Sequence, residues 1–375
     1  MQNKNGFLKV AAALMIVAQM VSAATDITAK FTCPNFKAEV YKLIGKTSPT
    51  AILDSDVSGI TYFDVSNKNI TSIAGIEYFT GLTSLDCYLN QLTELDVSKN
   101  TKLQILNCNR NQLTKIDLLK NTNLWWMDCS NNQLTSLDLS MNTELLHFWC
   151  LDNQLTELDV SKNTKLQILN CNRNQLMTLD VSNNTDLFAL ECYINELTTL
   201  DVSKNTELTH FDCQINKLLV IDISKNIKLL HFDCSHNKLT TLDVQNNINL
   251  INLCCRDNQL TELNLSNNTV LESLRCDKNQ LTILDLSKTN LCGFVEISRN
   301  LFDSEDDIKG LNKGNYGIYE YSPQRRKNTI TFDSQGGSAV APLIDILSFE
   351  KITEPAAPTK EYHSFRGWFT DEACT

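Results

Sequence analysis

Cysteine, histidine and aspartate recur in this chain at spacings that could bring several metal-binding groups together. Ten cysteines fall 21 residues apart, and the sequence His-Phe-Asp-Cys occurs twice at the same interval, beginning at His210 and His231. Imidazoles, carboxylates and thiolates are zinc ligands, and carboxylates also bind calcium. Aspartate follows the same period in a set that we name the aspartate column: Asp96, Asp117, Asp138, Asp159, Asp180, Asp201, Asp222, Asp243 and Asp285.

The shared period places these residues at equivalent positions of a repeated unit. The unit reads L-x-x-L-x-C-x-x-N-x-L-x-x-L-D-V-S-x-N-T-x, which is a leucine-rich repeat with cysteine in one leucine position. The segment around L-x-C predicts a short strand with alternating side chains, and successive copies should pair as parallel strands. The predicted fold is an α/β-type leucine-rich-repeat solenoid, mostly parallel β, with an irregular or short 3-10 convex side.

Asparagine forms a further column, which we name the first asparagine column. Its side chain can donate and accept hydrogen bonds, so it can satisfy the backbone groups that are buried where the chain reverses after each strand. We therefore predict a structural role for its members, which are Asn90, Asn111, Asn132, Asn153, Asn174, Asn195, Asn216, Asn237, Asn258, Asn279 and Asn300.

The ten periodic cysteines, named the cysteine ladder, could form disulfides in an exported protein. Neighbours on parallel strands are separated by about 4.8 Å with parallel Cβ vectors, whereas disulfides need facing Cβ atoms about 3.8 Å apart. We therefore favour buried free thiols, and we expect Cys254, one residue before the ladder, to point outward and react. The ladder comprises Cys87, Cys108, Cys129, Cys150, Cys171, Cys192, Cys213, Cys234, Cys255 and Cys276.

The aspartates and histidines also have structural explanations. A carboxylate in the sequence D-V-S-x-N can accept backbone N–H bonds of its own turn, and calcium needs six or more converging oxygens. Two solvated histidines would account for His210 and His231, although with Asp212 and Asp233 they remain the alternative metal site. We predict no metal and no cofactor.

Aromatic side chains cluster where the repeats differ from one another. The residues predicted to line the concave sheet are Trp125, Trp126, His147, Trp149, Phe188 and Tyr193. Packing over the strand edge is the structural explanation for one or two of them. Exposed aromatic residues are nevertheless enriched at binding hot spots, so we predict that these six form a ligand-binding surface.

Charge and motifs exclude other functions. The net charge of −11 disfavours nucleic-acid binding, which uses lysine and arginine to contact phosphates. The chain lacks H-E-x-x-H and G-x-S-x-G, and the repeats contain no glycine-rich phosphate loop, so we predict that the protein is not an enzyme.

The ends of the chain predict export and a modular organisation. Lys4 and Lys9 precede or flank an apolar run over 10–18 that is followed by small residues, which is the order of a secretory signal peptide covering 1–23. No stretch is long enough to predict a transmembrane segment. The further predicted segments are a small helical N-terminal cap at 24–60, a leucine-rich-repeat array with exit cap at 61–321, a linker at 322–328 and a C-terminal module at 329–375.

The sequence FDVSNKNITSIAGIEYFTGLTSL, the cysteine ladder and the L-D-V-S-x-N-T turn resemble the internalin family, and within it the internalin J branch. Residues 329–375 resemble an incomplete B repeat, a small β-rich (β-grasp-like) module. The resemblance implies a secreted or bacterial cell-surface protein, adhesin-like and associated with virulence, that recognises a host protein or glycan through the concave sheet. We expect a monomer. The alternative function is a structural surface spacer with no dedicated ligand.

Overall fold

The computed structural model of the protein describes residues 24–312, 314, 317–325, 327–334, 337–347 and 355–361. The chain divides into a first unit, 1–155, and a second unit, 156–375. The predicted signal peptide at 1–23 lies outside the described residues, as does the last part of the predicted C-terminal module.

The first unit consists of a helical cap followed by parallel strands. Its helices are a 3-10 turn at Thr28–Lys30, α1 at Pro34–Leu43, α2 at Asp54–Val57 and a 3-10 turn at Ile76–Tyr78. Its strands are β1 at Tyr62–Asp64, β2 at Ser84–Asp86, β3 at Ile105–Asn107, β4 at Trp126–Asp128 and β5 at His147–Trp149. The strands pair in parallel and in register, which is the predicted arrangement.

Helix α1 covers the open end of the first unit's core. Pro34 at the helix start has the backbone φ that a first helical residue requires, and Gly45 just beyond the end adopts a left-handed φ of 66°. The fully buried Phe36 packs against Phe63 of β1 with ring centroids 5.8 Å apart. The predicted N-terminal helix is therefore present and joins the cap to the first repeat.

The second unit continues the same repeat. Its parallel strands are β6 at Ile168–Asn170, β7 at Ala189–Glu191, β8 at His210–Asp212, β9 at His231–Asp233, β10 at Asn252–Cys254 and β11 at Ser273–Arg275, followed by β12 at Leu284–Asp285, β13 at Phe294–Glu296, β14 at Ile308–Lys309 and β15 at Ile318–Glu320. Strand β13 pairs with β11 and β15, and β14 pairs with β12. Phe302 and Ile308 are buried at this end, where the exit cap is predicted.

An antiparallel strand pair lies within and just before the predicted C-terminal module. It is formed by β16 at Lys327–Ile330 and β17 at Leu343–Leu347. The β-rich character predicted for this segment agrees with these two strands.

The first asparagine column makes the predicted hydrogen bonds. Asn111 Nδ2 donates to the carbonyl oxygens of Cys87 and Cys108, both at 3.0 Å, and its Oδ1 accepts from the N–H of Leu92 at 3.0 Å. The side chain thus bonds two successive turns to each other. Because Asn has both a donor and an acceptor at the required positions, no apolar residue could replace it.

A second asparagine column lies at the S-x-N position of the turn, for which the sequence alone predicts no role. Asn184 is fully buried, and its Nδ2 donates to the carbonyl oxygens of Val160 at 3.0 Å and Asn163 at 2.8 Å. Other members with the same pair of bonds are Asn121, Asn205, Asn226, Asn247 and Asn268.

The residue before each member of the first asparagine column has a left-handed backbone, with φ between 52° and 57°. Glycine usually occupies such positions, yet these repeats have none, and even the β-branched Ile194 and Ile215 adopt this conformation. The N–H of Ile215 donates to the Ser235 carbonyl at 2.9 Å, so stacking against the next turn holds the strained residue in place.

Substitution of one asparagine in the second column tests its structural role. We expect Asn184→Ala to lower the free energy of unfolding by about 2–4 kcal/mol, because two buried carbonyls lose their donor. The adjacent Asn183 is exposed, so Asn183→Ala is a matched control that should change stability by less than about 0.5 kcal/mol. Urea unfolding measures both. Equal effects of the two substitutions would contradict this role.

Candidate binding surface

Alternation along each short strand separates core residues from surface residues. In β4 the buried Met127 lies between Trp126 and Asp128, whose side chains are half-buried on the opposite face. Because the strands are in register, the outward positions of successive strands form continuous rows. We name the surface formed by these rows the exposed sheet face.

Four of the predicted site residues form one cluster on the exposed sheet face of the first unit. The ring centroids are 5.1 Å apart for Trp126 and Trp149, 6.1 Å for Trp125 and His147, and 5.8 Å for His147 and Trp149. The two pairs that include His147 meet edge to face, which is a favourable geometry for aromatic rings. We name these four residues, all half-buried, the aromatic patch.

The other two predicted site residues belong to the second unit. Phe188 immediately precedes β7 and is 38% exposed, whereas Tyr193 follows the strand and is half-buried. The six predicted residues therefore comprise a cluster of four in the first unit and two flanking residues of β7 in the second.

The aspartate column closes turns in the described structure. The carboxylate of Asp201 accepts from the backbone N–H of Ser203 at 2.8 Å, and hydrogen bonds from Ser203 lower the pKa of that carboxyl. Asp96, Asp159, Asp180 and Asp222 make the equivalent bond to a following serine. Within the described residues, no group of three or more histidine, cysteine, aspartate or glutamate side chains could hold a metal ion.

All thirteen cysteines in the described part of the chain are free, and the ten of the ladder are buried. Cys254 occupies an outward position of β10, but its predicted reactivity is wrong. Burial and the neighbouring charge of Asp233 raise the pKa of Cys254 to about 12, which suppresses the reactive thiolate. Among the described cysteines, Cys292 is the exposed one.

A cavity of about 260 Å³ lies on the exposed sheet face of the second unit, where the two His-Phe-Asp-Cys segments are paired. One row of its lining contains His210, His231 and Asn252, and the adjacent row contains Asp212, Asp233 and Cys254. We name it the histidine–aspartate cavity. The repeated tetrapeptide indicates this juxtaposition in the sequence, although from spacing alone it predicts solvated histidines or a metal site.

Burial of like charges controls the electrostatics of this cavity. Desolvation raises the pKa of Asp212 to about 6, and the neighbouring carboxylate of Asp233 adds to the shift. The Asp212 carboxylate accepts hydrogen bonds from the backbone N–H of Gln214 at 3.1 Å and from Gln214 Nε2 at 3.0 Å, which offset part of this rise in pKa. Desolvation and the nearby His210 lower the pKa of His231, so this imidazole is neutral at pH 7.

Comparison with known structures identifies the family. The solved functional domain of InlJ from Listeria monocytogenes, which includes a cysteine ladder, is 33% identical to this chain with a TM-score of 0.61. The match covers 75% of this chain and 72% of that domain. The chain belongs to the internalin family. The resemblance predicted from the repeat and its cysteines is thereby confirmed.

Two further internalins match parts of the chain. Internalin J of L. monocytogenes serotype 4b (strain F2365) is 39% identical over 71 residues, which are 19% of this chain and 8% of that protein. The crystal structure of internalin InlF from the same strain is 22% identical, with a TM-score of 0.65, and the match covers 81% of this chain and 100% of that chain. At this identity InlF supports the fold alone.

The C-terminal segment matches a separate family. The family model of the Listeria-Bacteroides repeat domain matches residues 329–375, the segment predicted to be an incomplete B repeat. In the described part of this internalin, no helix has the length and apolar composition needed to cross a membrane.

The raised pKa of Asp212 predicts a pH-dependent stability. Between about pH 4 and pH 6 the unfolded chain releases this proton while the folded chain retains it, so the carboxyl destabilises the fold progressively as pH rises. The other ionisable side chains that face this cavity form no ion pair that would stabilise the Asp212 carboxylate. They are Glu191, Asp233, His210, His231 and Cys254.

We expect Asp212→Asn to raise the free energy of unfolding at pH 7.5 by about 1–3 kcal/mol, and the gain to shrink towards pH 4. Urea unfolding at both pH values measures the effect. Asp222→Asn is the control, because hydrogen bonds from Ser224 lower the pKa of that exposed carboxyl and its loss should give no gain. A gain for Asp212→Asn that is independent of pH would contradict the assignment.

Proposed function

We propose that this internalin is an exported, non-enzymatic bacterial surface protein that recognises a host protein or glycan through its exposed sheet face. The aromatic patch carries the proposal. Its four rings are joined by pairwise contacts on and just before β4 and β5, and each ring remains half-buried. Large aromatic side chains held in fixed positions provide binding energy at small entropic cost.

The scaffold supports this role because it fixes the patch independently of the patch side chains. The core beneath it is made by the fully buried Met127 and Phe148, and the backbone N–H groups of Trp125 and Trp126 donate to the carbonyl of Gln104 at 3.0 and 3.2 Å. The aromatic side chains therefore contribute little to the strand pairing that holds them. These four residues can therefore be selected for ligand binding and not for stability of the fold.

Tryptophan rings suit both ligand classes. They pack against the apolar faces of sugars, and they anchor protein interfaces by filling apolar pockets. A glycan array and a pull-down from host surface extracts, both with the full chain, distinguish the two classes. Failure to find a saturable partner in either experiment would favour a structural surface spacer.

Removal of the three tryptophans tests the patch directly. We expect the triple variant Trp125→Ala, Trp126→Ala, Trp149→Ala to retain a cooperative melt while its affinity for the identified partner falls at least tenfold, because hot-spot truncations cost about 2 kcal/mol or more each. Calorimetry measures the melt and surface plasmon resonance measures the affinity.

The matched control removes exposed apolar side chains from the same unit, away from the strands. Leu119 and Met141 are 39% and 49% exposed, so the double variant Leu119→Ala, Met141→Ala should melt and bind as the parent protein does. Unfolding of the tryptophan variant would show that the patch is structural. Full-strength binding by a folded tryptophan variant would place the ligand on another surface.

A further inference from the structure

The histidine–aspartate cavity of the second unit combines an aromatic wall with two carboxylates. The imidazoles of His210 and His231 are stacked with ring centroids 4.6 Å apart and an interplanar angle of 29°. Each ring is fixed by a neighbour: the Nδ1 atoms lie 2.9 Å from Thr209 Oγ1 and 2.7 Å from Asn252 Nδ2, respectively. The stacked pair is thus a preorganised planar surface beside the row of Asp212 and Asp233.

The two carboxylates lack a cationic partner in the described structure. Asp212 accepts only neutral hydrogen bonds from Gln214, and Asp233 accepts one from the N–H of Ser235 at 2.8 Å. No ion pair in the described part of the chain includes either residue. Two neighbouring, partly desolvated negative charges are unfavourable unless a positive group joins them.

The same sheet face shows how this chain compensates such charges elsewhere. Arg256 lies 3.4 Å from a carboxylate oxygen of Asp277, and Arg275 lies 3.3 Å from Glu296 while its guanidinium lies 4.7 Å from the Phe294 ring centroid. At those positions an arginine pairs with an acid and, in one case, covers an aromatic ring. The described residues that line the cavity include the acids and the rings but no arginine.

We propose that the histidine–aspartate cavity binds the guanidinium group of an arginine side chain presented by a protein partner. The site shares no residue with the aromatic patch, so this proposal goes beyond the proposed function and stands independently of it. A planar guanidinium can bridge carboxylates on neighbouring strands, whose separation is about 4.8 Å, while its face packs on an imidazole.

Other cations fit the cavity less well. Lysine offers a point charge without a planar face, so it cannot use the stacked rings in the same way. A metal ion needs converging lone pairs, whereas His231 Nδ1 accepts a hydrogen bond from Asn252 Nδ2, so the proton of the neutral ring lies on Nε2 and leaves no free lone pair there. The described residues also contain no cluster of three or more metal-binding side chains with suitable geometry.

Histidine NMR gives a direct test, because the chain has five histidines and two of them line the cavity. The full chain at pH 7.5 is titrated with blocked arginine (N-acetyl-L-arginine amide), with blocked lysine and, separately, with Zn²⁺. We expect blocked arginine to shift the imidazole signals of His210 and His231 saturably and to leave His147 unchanged. Blocked lysine should bind at least tenfold more weakly.

Two double variants with the same net charge separate the contribution of the cavity carboxylates from that of overall charge. Asp212→Asn with Asp233→Asn should weaken arginine binding at least tenfold, whereas Asp201→Asn with Asp222→Asn should leave it unchanged. The control carboxylates lie in turns of the same unit, and asparagine retains their acceptor for the backbone N–H. A thermal melt of each variant confirms folding.

Three results would overturn the proposal: no saturable shift with blocked arginine, unchanged binding by the folded Asp212 and Asp233 variant, or equal binding of arginine and lysine. Zn²⁺ shifting both rings while arginine does not would replace it with a metal site. None of these results involves the aromatic patch, so each leaves the proposed function standing.

Discussion

Hydrogen bonds from buried asparagine amides to the backbone of neighbouring turns are the interaction on which the structure depends. Each of the strands β1 to β15 has only two or three residues, so strand pairing alone cannot fix how one turn follows the next. Asn111 binds the carbonyls of Cys87 and Cys108, and Asn121 binds those of Val97 and Asn100. Two asparagine columns therefore fix both the turn after the strand and the turn before the next one.

This constraint explains why the exposed sheet face can vary. The side chains that hold each turn point inward or lie within that turn. Outward positions, such as those of Trp126 and His231, therefore do not determine the fold and can hold different residue types. The histidine–aspartate cavity shows the consequence, since the scaffold accommodates Asp212 although its charge disfavours folding near neutral pH. Functional surfaces often contain residues that lower the folding stability of the protein.

The sequence was sufficient to predict the periodic features and insufficient for those that depend on a local environment. The repeat period, the strand register and the role of Asn111 follow from the spacing, because every copy must bury the same leucines and satisfy the same backbone groups. The reactivity predicted for Cys254 was wrong because an outward direction does not guarantee solvation, and its thiol is desolvated beside the carboxylates of Asp233 and Asp212. Likewise, the two His-Phe-Asp-Cys segments revealed a juxtaposition, but the stacked rings and unpaired carboxylates required side-chain positions.

The left-handed backbone of the residues before the first asparagine column could not be predicted from the sequence for a related reason. Ile194 is a poor choice for a positive φ when judged by local preference, and only its neighbours in the stack make that conformation favourable. Boundaries proposed from composition, such as the linker at 322–328, remain predictions because composition shifts indicate a change of module without locating the residue at which it occurs.

Amide hydrogen exchange is the most direct measurement of the central claim that asparagine bonds hold the turns. The N–H groups of Leu113, Leu197 and Leu218 each donate to an asparagine Oδ1 at 3.0 Å. These amides should exchange as slowly as those at strand centres, such as Met127 and Phe211, because only opening of the stack exposes them. Exchange at the rate of solvent-exposed turn amides would contradict the account.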